Sequence, residues 1–169
     1  MSKAINKLNS IIKKLEKSVQ DGIKANVMRE VGEFAKDIVV KRTRLGYGVT
    51  ENLGKREKLA ALKGTYVQKR KMFSDLDATT TPKKSNLTRT GNMLRSMAVK
   101  SSTGTIQIRP VGKRNIAAAE GNSVPVTYKN GYTKPARIFN RISQPEFNQI
   151  VRFYRKSFGD LLKKLQLIK

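Results

Sequence analysis

Few residues in this chain are placed to do chemistry. Asp75 and Asp77 stand two apart in Ser74-Asp75-Leu76-Asp77, a spacing at which two carboxylates could share a divalent cation with a distant glutamate, as in a metal-dependent nuclease. They lie in a Ser/Thr-rich run, where capping and turn roles are the commoner use of aspartate. The 169 residues include no His and no Cys, which removes imidazole bases, thiolate nucleophiles, disulfides and the usual zinc ligands. Glu120 is the only acid between residues 91 and 145, and the remaining acids stand mainly at helical spacing from a Lys or Arg. Gly46-Tyr47-Gly48 lacks the third glycine of a dinucleotide loop, follows a helical pattern, and has no Gly-Lys-Ser/Thr element. The expectation is a protein that is not an enzyme, with no catalytic, cofactor-binding or metal site.

Cations are what the chain has in excess. Its 36 Lys and Arg against 12 Asp and Glu give a formal charge of +24. The net is +6, +6, +8 and +4 over residues 1–45, 46–90, 91–145 and 146–169, so it belongs to a folded body with a basic surface and not to a detachable tail. Such a body repels its own copies and calls for a polyanion, either nucleic acid or acidic protein faces. The candidate contacts with DNA or such a partner are Lys41, Arg42, Arg44, Lys69, Arg70, Lys71, Lys113 and Arg114.

The elements that must position these residues follow from periodicity. Ile5, Leu8, Ile11, Ile12, Leu15, Val19 and Ile23, then Val27, Met28, Val31, Phe34, Ala35, Ile38 and Val39, recur every three to four residues. They predict one long helix or a helix pair over residues 3–40, with a break or bend favoured at Gly22 and residues 1–22 forming a projecting arm. Lys41 to Gly48 is expected as a basic, glycine-punctuated finger. Leu59, Leu62 and Tyr66 predict a shorter helix ending near Met72-Phe73, and residues 74–86 a long polar surface loop, functional and mobile. Met97–Ser101 and Thr105–Arg109 alternate around Thr103-Gly104 and predict a hairpin, and Val124–Tyr128 with Tyr132-Thr133 flank Asn130-Gly131 as a second. Between them, Asn115 caps a two-turn helix over Ile116–Glu120 that Gly121 closes. Ser143-Gln144-Pro145-Glu146 is a capping box opening a helix whose stripe of Phe147, Ile150, Val151, Tyr154, Phe158, Leu161, Leu162, Leu165 and Ile168 is expected to be buried. The fold class is α+β: a long N-terminal helix or helix pair and a C-terminal helix packed on a small antiparallel sheet of hairpins, in a single domain over 1–169. No apolar run approaches the roughly 20 residues that cross a bilayer, and the start of the chain lacks a signal-peptide core, so a protein used without export is expected.

The order of these elements, with Leu87, Thr90, Gly91, Leu94, Ser96 and Met97 at its centre, the Ala-rich step into Glu120-Gly121, and Pro135-Ala136-Arg137-Ile138-Phe139 leading to the last helix, resembles the small tail-completion or head-tail joining (neck) proteins of tailed bacteriophages. The family's Arg-Pro-Phe-like step stands here as Arg137-Ile138-Phe139. The resemblance implies an α+β structural subunit forming a homo-oligomeric ring between portal and tail around the DNA exit channel. Its implied partners are further copies, other connector, portal and tail proteins, and non-specifically the packaged DNA, with no membrane and no small-molecule substrate. Its place would be the virion neck, assembled in the host cytoplasm. The alternative from charge alone is a free basic nucleic-acid-binding protein, DNA-packaging or ribosome-associated.

Overall fold

A computed structural model describes the backbone of residues 3–78, 80–102 and 105–164, with side chains at 13, 17, 21, 22 and from 24 onward. The apolar stripe expected over Ile5–Ile23, the Thr103-Gly104 turn, and Leu165 and Ile168 lie outside the described residues.

The fold is α+β. Helix α1 is continuous over Lys3–Arg44, about 63 Å at 1.5 Å per residue, so the break expected at Gly22 does not occur. Glycine inside a helix costs only about 1 kcal/mol relative to alanine, and Gly22 is exposed with nothing near it, so packing does not force a bend there. Nor does α1 stop at Val40: it takes in Lys41–Arg44, with the Thr43 hydroxyl donating to the Val39 carbonyl at 2.7 Å. It ends at Gly46, whose φ of 87° is the left-handed turn that closes helices. The expected basic finger is therefore the last helical turn, where cations suit the dipole, followed by a hairpin of β1 (Tyr47–Val49) and β2 (Arg56–Lys58).

Helix α2 spans Gly64–Lys71, and Leu59 and Leu62 precede it. Helix α3 (Asn92–Arg95) leads into the hairpin of β3 (Met97–Ser101) and β4 (Ile106–Pro110). Helix α4 covers Lys113–Ser123, longer than expected at both ends. Its left-handed glycine is Gly112 at the start (φ 89°), while Gly121 lies inside and is followed by Asn122 and Ser123, whose side chains donate back to the Ala118 and Ala119 carbonyls. Strands β5 (Val126–Thr127) and β6 (Thr133–Lys134) form the Asn130-Gly131 hairpin, and α5 runs Gln144–Lys164. Among the described residues the hairpins form three separate two-stranded antiparallel sheets.

The core gathers Val39 of α1, Met93 and Leu94 of α3, Met97 of β3 and Phe139, with Leu87, Ile108 and Ile142 against them. Burying a side chain such as Phe139 contributes about 1.5–3 kcal/mol. At Gly32 the β3–β4 hairpin lies so close that a Cβ would collide with Val99 and meet Ile106. Phe34 stacks on Phe153 at 4.3 Å, and Arg42 pairs with Glu146 at 2.6 Å. Rising numbers on α1 meet falling numbers on α5, so the two helices run antiparallel. The stripe expected to be buried on α5 is buried only in part: Ile150, Val151, Phe158, Leu161 and Leu162 are half-buried, while Phe147 and Tyr154 remain 43% and 37% exposed. The contact with α1 includes Phe153, which lies beside the stripe, and among the described residues Phe147 and Tyr154 are left open to solvent.

Candidate functional site

The six residues of the head-tail-joining resemblance are structural here. Leu94 and Met97 are in the core and Leu87 packs on it. Gly91 holds φ 68° beside the Asp77 carboxylate and the Arg95 guanidinium, a conformation that favours glycine. Thr90 accepts weakly from the Asn92 amide at 3.4 Å, and the Ser96 hydroxyl donates to the Met93 carbonyl. The polar loop before them is pinned at its end: Asn86 and Thr88 are fully buried, and the Asn86 amide donates to the Arg44 carbonyl at 3.0 Å. Asp77 pairs with Arg95 at 2.6 Å and Asp75 with Arg89 at 3.4 Å, so each candidate metal carboxylate faces an arginine. Among the described residues no group of three or more carboxylates is placed to hold a metal.

The eight candidate cations separate into two sets. Lys41, Lys69, Lys71, Lys113 and Arg114 are exposed, and Arg44 is half-buried. Arg42 and Arg70 are interior, at 2% and 3% exposure, which corrects their reading as surface contacts. Arg42 donates to Glu146 and to the Phe139 carbonyl, and burial pushes its guanidinium down from its ordinary value while Glu146 pushes it back up. Glu146 also accepts from the Ser143 amide at 2.9 Å, the carboxylate half of the expected capping box. Arg70 has no carboxylate. Three successive basic residues on a helix point about 100° apart, so a helix that packs turns one inward, and in α2 that one is Arg70.

Arg70 opens into a cleft of about 580 Å³. One wall is Leu62, Lys63, Tyr66 and Arg70 from the approach to α2 and α2 itself; a second is the 85–90 segment with Met93; the third is Ala118 and Asn122 of α4 with Tyr128, Asn130, Tyr132 and Lys134 of the β5–β6 hairpin; Arg137 completes it. The hairpin turns on Gly131 at φ 75°, which brings Tyr128 and Tyr132 into a near-parallel stack at 6.0 Å. Lys63 sits 4.3 Å from the Tyr132 ring centroid and Arg89 4.1 Å from that of Phe73, favourable cation–π distances. Arg137 is fixed by the carbonyls of Ala60 and Ala61 and by the Ser85 hydroxyl, at 3.1, 3.1 and 3.2 Å. Five cations thus line the cleft, and none of the described lining residues is acidic. Burial pushes Arg70 below its ordinary value; Tyr66 opposes this and Arg89 adds to it. Burial and then Arg137 push Lys134 down.

No family model, curated protein or solved structure matches the chain. In the sequence Arg70 reads as a surface cation, Arg137 stands out only as part of the step before the last helix, and nothing sets Lys63, Arg89 or Lys134 apart. The one local signal available was the pair of tyrosines flanking Asn130-Gly131, which a tight hairpin must bring together.

Proposed function

We propose that the protein is a structural subunit of a tailed-bacteriophage virion: a ring-forming head-tail connector joining the portal complex to the tail around the DNA exit channel. The observation that carries this reading is the open edge of α5. A 21-residue amphipathic helix that leaves Phe147 and Tyr154 exposed has an apolar face suited to a neighbouring copy, as helices at subunit contacts do. The charge of +24 supports the same reading. A ring of such chains needs polyanions beside it, and packaged DNA or acidic connector surfaces supply them. The exposed Lys41, Lys69, Lys71, Lys113 and Arg114 are the residues for those contacts.

The test is genetic and structural together. Phage lacking the gene are expected to produce filled heads without attached tails, and the protein is expected to co-purify with complete virions as a single layer at the neck. Tailed, infectious particles made without it overturn the reading.

A further inference from the structure

We infer that the cleft between α2, the 85–90 segment, α4 and the β5–β6 hairpin binds a phosphate ester with a flat aromatic body, a ligand of the nucleotide class. Arg70 carries the argument. Its Nη1 donates to the Lys84 carbonyl at 2.9 Å, which fixes the guanidinium, while Nε and Nη2 are buried without a hydrogen-bond partner. Those two donors share one edge of the guanidinium and form the fork that takes two oxygens of an oxyanion side by side. A buried donor left unpaired is costly, and Arg70, which carries two such donors, is one of the residues lining the cleft.

Charge favours phosphate over a single carboxylate. Lys63, Arg89, Lys134 and Arg137 line the same volume, and of these Arg89 alone has an acid nearby, the exposed Asp75 at 3.4 Å. Crowded like charges are relieved more by a dianion than by a monoanion. The size and the aromatic wall specify the rest of the ligand. A volume of about 580 Å³ lies in the range of small-molecule sites, and its lining includes the rings of Tyr66 and Tyr128, with Tyr132 stacked on Tyr128, aromatic groups of the kind on which bases stack.

The experiment is calorimetry on the full chain at fixed ionic strength, with adenosine monophosphate, inorganic phosphate, adenosine and acetate as probes. The expected result is saturable binding of one adenosine monophosphate per chain, competitive displacement by inorganic phosphate, and binding of adenosine and acetate at least about tenfold weaker. Arg70→Gln is expected to weaken adenosine monophosphate by at least about tenfold. Tyr132→Leu, at the exposed hairpin, is expected to weaken adenosine monophosphate but not inorganic phosphate, and it supplies the readout if Arg70→Gln fails to fold. Uptake that does not saturate at one per chain, or that both variants leave unchanged, is adsorption of anions on a basic surface and overturns the proposal. So does acetate competing as well as phosphate. All of these are read on the isolated chain, so their failure leaves the neck reading standing, and failure of the neck reading leaves them untouched.

Discussion

Arg42 and Glu146 show how much one residue pair decides. Each is almost fully removed from water, so truncating one leaves the other charged and alone. Glu146→Ala is expected to cost about 3–5 kcal/mol, read as a fall in the denaturant midpoint. Replacing both residues with apolar ones of similar size should recover most of that loss, since a well-packed apolar pair replaces a buried ion pair at little cost. Lys134 gives a pH test. Its folded-state value is lowered by burial and Arg137, so the unfolded chain binds the extra proton, and stability rises with pH between the lowered value and the ordinary lysine value of about 10.4. Denaturation at neutral and alkaline pH should therefore show wild type gaining on Lys134→Met as pH rises through that window. At this scale the sequence was half legible. The capping box marked Glu146 as the acceptor of the Ser143 amide, because that bond is local, whereas its pairing with Arg42 across 104 residues left no pattern to read.

Elements were more legible than residues wherever their signals were local. The Asn130-Gly131 turn, the β3–β4 alternation and the start of α5 all stand where periodicity and turn chemistry put them. The β1–β2 hairpin was missed because Tyr47–Val49 and Arg56–Lys58 are three residues each, too short to show alternation. Gly22 was overweighted as a breaker. Because α1 is continuous there, with open space around the Cα, Gly22→Ala is expected to stabilise the protein by about 0.5–1 kcal/mol through higher helix propensity and a less flexible unfolded chain. A raised melting temperature checks it, and a fall would mean that the helix needs the glycine. The cleft was not legible at this scale: its walls come from 62–70, 85–93 and 118–137, and only packing brings these together.

For the whole molecule, charge and the open edge of α5 act against each other. Like-charged copies repel across roughly a Debye length, about 10 Å at 0.1 M salt, while apolar contact draws the exposed face of α5 toward another copy. Association of the purified chain should therefore strengthen as salt rises, the opposite of phosphate binding, which weakens with salt. Sedimentation across a salt series distinguishes the two. Phe147→Glu combined with Tyr154→Glu is expected to abolish association while leaving the melting transition of the monomer nearly unchanged, because both side chains are exposed. A loss of folding on that double change would place the face inside the fold instead. The Arg42–Glu146 pair also has a consequence in time. A ribosome adding about 5–20 residues per second releases Glu146 roughly 5–20 s after Arg42, given the 104 residues between them. Burying an unpaired guanidinium is costly, so the last turn of α1 is expected to close on the core only once α5 has emerged.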